Sequence, residues 1–211
     1  MTVADSPDRF PVAGSRLHFS GSVIAVRTDD VVMPDGQAVP RDVVEHPGAV
    51  GVIALDESDR VLLLQQYRHP PSRLLWEPPA GLLDEPGEAP HVTAARELYE
   101  EAGYRAARWD LLLDAFTSPG MTDEAVRIYL ARELTEVPAE DRHVGQHEEA
   151  DMPVSWLPLE EAVGAILQGR IHNPLAIMGI LAAAHARTTD WSGLRPVDAD
   201  WPERPVAGVK G

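Results

Sequence analysis

The chain has 211 residues, 44% of them hydrophobic and 25% charged, enough to bury the core of one mid-sized domain with a small appendage at most. No run approaches the roughly 18 consecutive apolar residues of a membrane-spanning helix, and the lack of cysteine excludes disulfides, thiolate metal sites and cysteine nucleophiles. Eighteen basic against 34 acidic residues leave a net charge of −16, which disfavours nucleic-acid backbones and anionic membrane surfaces and demands a cation wherever an anionic substrate is held.

The first twenty residues carry acids and prolines and no apolar core, so they do not read as a signal peptide, and a cytoplasmic protein is expected. Residues 1–15 are expected as a loose arm. From Arg16 to about Val32 apolar and polar residues roughly alternate, which predicts a strand. Pro34-Asp35-Gly36 is a turn signal, with Ala38–Glu45 running back as the partner. Ala49–Leu55 and Arg60–Arg68, joined by the polar turn Asp56–Asp59, predict a second hairpin. A helix is predicted over Pro90–Ala102, stopped by Gly103. Strands over Trp109–Thr117 and Ala125–Glu133 flank the loop Ser118–Asp123. A further helix runs from Pro158 to Gln168 before Gly169, and Asn173-Pro174 opens a last one that reaches about Arg187. The rest is an irregular tail whose Trp191 and Trp201 are expected to anchor it to the core. Many antiparallel strands with few helices argue the α+β class. The organisation expected is an arm and hairpin over 1–46, a main domain over 47–187 and a tail over 188–211.

Chemistry concentrates on the predicted helix 90–102. Glu97, Glu100 and Glu101 fall at i, i+3 and i+4 and share one face, while Val92, Ala95, Leu98 and Ala102 recur on another that would bury against a sheet. Three neighbouring carboxylates repel one another, and a cation turns that repulsion into coordination. Oxygen donors without Cys or His suit Mg²⁺ or Mn²⁺ rather than zinc. Arg96 is placed to orient Glu88 through a bidentate pair. An isolated E-x-x-E-E is an ordinary solvated helix face. Here a glycine-containing loop precedes it and a glycine stop follows.

Gly81, Glu88, Arg96, Glu97, Leu98, Glu100, Glu101 and Gly103 fill the fixed positions of G-x5-E-x7-R-E-U-x-E-E-x-G-U, where U is a bulky apolar residue and Tyr104 takes the last place. One departure is that six residues, not five, separate Gly81 from Glu88; the extra one falls in Asp84-Glu85-Pro86-Gly87. This segment resembles the box of the Nudix hydrolase family. The resemblance implies an α/β/α sandwich and metal-dependent hydrolysis of a nucleoside diphosphate linked to another group. It also implies Glu97 and Glu101 as main metal ligands, Glu100 as a further ligand or catalytic assistant, and the Ala80 carbonyl completing the shell. Divalent ions would neutralise the pyrophosphate and activate a water, which answers the charge problem of an acidic protein holding an anion.

Three short features resemble the ADP-ribose pyrophosphatases within that family, and the set GLLDxxGExPHxTAARELxEEAG with HEEADM later resembles their actinobacterial form. The three features are the entry Trp76-Glu77-Pro78-Pro79-Ala80-Gly81, Pro119 fifteen positions beyond Tyr104, and Gln66-Tyr67-Arg68 at a strand end. The resemblance implies ADP-ribose as substrate, with AMP and ribose 5-phosphate as products. It implies substrate contacts from Arg68, Ser118, Gly120 and Glu77, the last either on a ribose hydroxyl or capping the loop, and from Arg41, whose counterpart reaches the partner subunit's substrate. A catalytic base from a mobile loop points to His143–Met152, where Glu148 and Glu149 both qualify. A homodimer that swaps N-terminal strands is also implied, since a small isolated sheet is marginal alone. Another nucleoside diphosphate sugar is the nearest alternative substrate. A non-enzymatic ligand sensor is disfavoured, because every box glutamate is present and no basic segment for DNA is.

Overall fold

A computed structural model of the protein describes residues 3–143 and 152–205. The chain divides into two compact units, one built from residues up to 47 with 118–124 and Pro205, the other from 48–117 and 125–204. No helix among the described residues is long and apolar enough to cross a membrane.

The smaller unit is an antiparallel sheet of three strands in the order β1 (Val12–Ser20), β2 (Ala25–Val32) and β3 (Ala38–Glu45). The single strand expected over Arg16–Val32 is therefore two, and the arm is already strand from Val12 onward. The chain reverses at Gly21-Ser22, where the Gly21 amide donates to the Ile24 carbonyl at 2.8 Å, and short-range alternation cannot register that fold-back. The interior of this sheet is polar. Thr28 donates its hydroxyl to Asp42 at 2.6 Å and bonds His18 Nε2 at 2.8 Å. Asp29 accepts from the Ser15 hydroxyl at 2.6 Å and from Arg27, which also pairs with Glu45. Burial would raise the Asp29 carboxyl, but the bonds from Ser15 and Arg27 outweigh it and hold it below the usual carboxylate range.

The larger unit carries the apolar core. It holds a mixed sheet in the order β7 (Ala80–Leu82), β4 (Ala49–Ala54), β9 (Ala125–Glu136), β8 (Tyr104–Phe116), and an antiparallel sheet in the order β10 (Val154–Pro158), β5 (Arg60–Arg68), β6 (Arg73–Glu77). β4 runs parallel to β9 and antiparallel to β7. The hairpin expected from Ala49–Leu55 and Arg60–Arg68 is corrected here. Both runs are strands, but they join different sheets, with a Leu55–Val61 bridge beside the connecting turn. Their uninterrupted apolar character is that of strands covered on both faces rather than of a half-exposed hairpin.

Alternation along β4 divides the core in two. Val50, Val52 and Ala54 point to the side of α1 (Pro90–Ala102), meeting Ala94 and Leu98. Ile53 and Leu55 point to the opposite side and pack with Leu159, Ala162, Ala176 and Ile180 of α2 (Leu159–Leu167) and α3 (Pro174–Thr188). Helices on both faces of the sheets make the α/β/α sandwich of the α+β class. α1 ends as expected, with Gly103 in the left-handed region at φ 70°. Its buried stripe is Thr93, Ala94 and Leu98, whereas Val92 and Ala95 face outward, a rotation of the stripe from the one that periodicity suggested. Asn173 caps α3, its side chain accepting from the Ala176 amide at 2.9 Å.

Beyond α3 the chain is irregular but docked. The Leu111 amide of β8 donates to the Arg195 carbonyl at 3.0 Å, and Trp191 and Trp201 lie against the arginines of β9, Arg132 and Arg127, with ring-to-guanidinium distances of 4.4 and 4.6 Å.

Candidate active site

The site is built where three residues of β7 meet the start of β4. Gly81 pairs with Val50 and Ala80 with Gly51, and the turn Pro78-Pro79 is fixed by the Val52 amide donating to the Pro79 carbonyl at 2.8 Å. α1 lies over this strand so closely that a Cβ on residue 81 would stand 2.1 Å from Glu97 Oε1 and 2.5 Å from its Cγ. Only glycine leaves room for that carboxylate. One turn further on, Glu101 Oε2 accepts from the Ala80 amide at 2.9 Å. Two acids of one helix face are thus seated on the backbone of one short strand.

Arg96 collects the others. Its Nη1 donates to Glu97 Oε1 at 2.7 Å and to Glu100 Oε2 at 3.1 Å, while Nε and Nη2 reach the Glu88 carboxylate at 3.4 and 3.2 Å. The expected bidentate pair with Glu88 is present, and the same guanidinium also spans two helical acids. Thr93 adds its hydroxyl to Glu88 at 2.8 Å. The bonds from Arg96 and Thr93 hold the Glu88 carboxyl below the usual glutamate range, and the acids around Arg96, Glu88 foremost, raise its own pKa. The extra residue between Gly81 and Glu88 is absorbed in an exposed turn with Gly87 at φ 84°, closed by the Glu88 amide donating to the Glu85 carbonyl at 3.2 Å. Glu88 keeps both of its partners.

The donor set suits a hard divalent cation. Every ligand candidate is oxygen, the glycine at 81 lets the Glu97 carboxylate lie against the strand, and the acids otherwise repel. Among the described residues no three Asp, Glu or His side chains already converge on one point. Arg96 offsets part of the carboxylate charge, and the Ala80 amide hydrogen-bonds Glu101.

Arg68 and Glu77, read separately in the sequence, form one pair at the ends of β5 and β6. Nε donates to Oε1 at 3.0 Å and Nη2 to Oε2 at 2.6 Å, with Glu77 only 3% exposed. A buried carboxylate needs such a partner. Arg41 lies exposed on β3, its Nη1 donating to the Pro40 carbonyl at 3.0 Å. Ser118 and Gly120 are exposed in the loop between β8 and β9, and the Ser118 carbonyl accepts from the Met121 and Thr122 amides at 3.0 and 3.1 Å. Glu148 and Glu149 lie outside the described residues.

Sequence reading missed a second ion pair on the α1 side of the sheet. Gly81, Val50, Arg127 and Asp114 stand in register across β7, β4, β9 and β8. Arg127 is 3% exposed and doubly bonded to Asp114 at 2.7 and 3.0 Å; it also donates to the carbonyls of Ala199 and Asp200 at 2.7 and 3.0 Å. A charged residue inside the apolar run Ala125-Val126-Arg127-Ile128-Tyr129-Leu130 was the available clue, because such a group is buried only when paired.

Comparison with known proteins gives the family and the fold. The chain is 49% identical over 196 residues, 93% of its length and 92% of the relative's, to an ADP-ribose pyrophosphatase of Mycobacterium tuberculosis. It is 39% identical to an ADP-ribose pyrophosphatase of Bacillus subtilis, over 74% of this chain and 82% of that one. The fold is also that of a crystal structure of an ADP compounds hydrolase, at a TM-score of 0.72 and 18% identity, covering 89% of this chain and 98% of that one. The NUDIX domain model matches residues 45–176, a span holding β4 to β10, the carboxylate face of α1 and the paired Arg68 and Glu77, and the chain belongs to the NUDIX family.

Proposed function

We propose that the protein hydrolyses the pyrophosphate bond of ADP-ribose to AMP and ribose 5-phosphate with the help of Mg²⁺, or Mn²⁺ in its place. The observation that carries the reading is the seating of Glu97 above Gly81 and of Glu101 on the Ala80 amide. The extensive likeness to an ADP-ribose pyrophosphatase supports the choice of substrate.

In this reading Glu97, Glu101 and Glu100, with the Ala80 carbonyl, hold the ion. A divalent ion on that face supplies charge neutralisation for the pyrophosphate and a more acidic water. Arg96 keeps the acidic face compact and draws on Glu88 as its fixed counter-charge. Glu148 or Glu149 takes the proton of the attacking water. Arg68, held straight by Glu77, faces the phosphates, Ser118 and Gly120 hold the rest of the substrate, and Arg41 reaches the substrate of the partner subunit.

The assembly proposed is a homodimer through the N-terminal sheet. Supporting it, Leu17 and Phe19 of β1 are 65% and 54% exposed, a larger apolar display than a lone sheet carries without cover. Light scattering at micromolar concentration is expected to give twice the chain mass. A cytoplasmic setting goes with this substrate class, and neither nucleic acid nor membrane is a proposed partner.

The test is release of AMP from ADP-ribose with and without Mg²⁺, beside GDP-mannose, UDP-glucose and a nucleoside triphosphate. Metal-dependent AMP from ADP-ribose in preference to the other three is the expected result. Preference for another sugar nucleotide would keep the carboxylate chemistry and reject the substrate.

A further inference from the structure

The loop between β8 and β9 is fastened to β3. Val44 donates its amide to the Met121 carbonyl at 2.8 Å, and the Asp123 amide donates to the Val44 carbonyl at 3.3 Å, a parallel bridge between Val44 and Thr122. Just past the end of β3 the His46 amide donates to Asp123 Oδ1 at 2.9 Å, and the His46 ring lies 3.6 Å from Glu124. Inside the loop the Ser118 carbonyl takes two amides, and the Thr122 hydroxyl accepts from the Glu124 amide at 3.1 Å. Residues 118–124 accordingly cluster with the N-terminal sheet, although both strands they connect belong to the other unit.

We infer that Asp123 is a positioning residue for substrate binding, through the bond that its carboxylate takes from the His46 amide. The inference rests on the proposed function, in which Ser118 and Gly120 touch the substrate. Those two residues and Arg41 then share one small unit, and Asp123 sets the distance between the loop and the strand that carries Arg41. An exposed loop of seven residues loses conformational freedom when fixed. The Asp123–His46 bond and the bridge at Val44 fix it before the substrate arrives, so binding need not do so. Asp123 itself holds neither metal nor reacting atom, so its loss should act on substrate affinity and leave the chemical step alone.

Two measurements test this in the full-length protein. Hydrogen exchange on the wild type should show the Val44, His46 and Asp123 amides protected together, at the level of β3; free exchange of His46 and Asp123 would overturn the inference. In steady-state kinetics Asp123→Ala should raise KM for ADP-ribose by roughly three- to tenfold while kcat stays within about twofold, the scale of one lost hydrogen bond. Asp123→Asn keeps an acceptor oxygen at the same place and should restore KM. A KM unchanged in Asp123→Ala, a fall in kcat alone, or an Asn variant as impaired as the Ala one would each defeat the positioning role. Should Asp123→Ala fail to fold, the exchange pattern and the Asn variant still decide. A wild type inert towards ADP-ribose but with the three amides protected would refute the substrate reading and leave the clasp standing.

Discussion

The two compact units bury their strands by opposite means. In the larger one Val50, Val52, Ile53, Ala54 and Leu130 are wholly inaccessible, and the charges admitted to its interior are paired, as Arg127 is with Asp114 and Glu77 with Arg68. In the smaller one no apolar side chain among the described residues is fully buried. Its buried side chains among the described residues are those of Thr28 and Asp29, while Leu17 and Phe19 face outward. A core of the first kind stands alone, because burial of each aliphatic side chain contributes on the order of 1.5–3 kcal/mol. A three-stranded sheet of the second kind does not, and it is in the proposed assembly that its outer face finds cover. The metal candidates all sit on the self-sufficient unit, and Arg41, Ser118 and Gly120 all sit on the other. In the proposed reading metal holding thus falls to the larger unit, and the substrate contacts other than Arg68 and Glu77 to the smaller one.

The sharpest way to break that division is Glu101→Gln. It preserves volume and removes a metal-binding charge, so turnover should fall by about a hundredfold or more with an unchanged melting temperature. Near-normal turnover would remove the chemistry from the larger unit altogether. Gly81→Ala comes next. Its methyl would displace the Glu97 carboxylate, so activity should drop by roughly tenfold and the Mg²⁺ needed for half activation should rise. On the smaller unit Arg41→Ala should raise KM for ADP-ribose by roughly tenfold and leave kcat near the wild-type value; a loss of kcat instead would erase the division of labour.

The smallest effect concerns stability. Glu88 is held below the ordinary glutamate pKa by Arg96 and Thr93, so its charged form stabilises the fold. That contribution is complete above the pKa of the unfolded chain and disappears as the pH falls through the lower, folded value. Glu88→Gln should therefore cost about 1 to 2 kcal/mol in urea unfolding at pH 7. Below the folded pKa the two proteins should converge.

What could be read in advance follows the physics of each element. α1 and α3 announced themselves, because Pro90 and Gly103, and Asn173 with Pro174, impose local boundaries that no distant contact overrides. The box acids needed only helical spacing. β6, β7 and β10 went unseen, since runs of three to five residues such as Ala80-Gly81-Leu82 carry no period, and their pairing is decided by distant partners. The separation of β4 from β5 was lost for a related reason: strands adjacent in sequence usually pair, and only three-dimensional packing shows that these do not. Arg68 and Glu77 were each recognised, yet their bond depends on the register of β5 with β6 and is not local. The same holds for Asp123 and His46, 77 residues apart.

The tail closes over Arg127 late in synthesis. Ala199, which takes one of that guanidinium's protons, follows it by 72 residues, and Trp201 comes later still. A nascent chain that has completed β9 therefore holds an arginine with Asp114 and Tyr129 to meet it but without its tail carbonyls, beside an apolar face that Val197 and Trp201 will later help to cover. Through the making of both C-terminal helices that part of the face lacks its last cover, which comes only with the segment after α3.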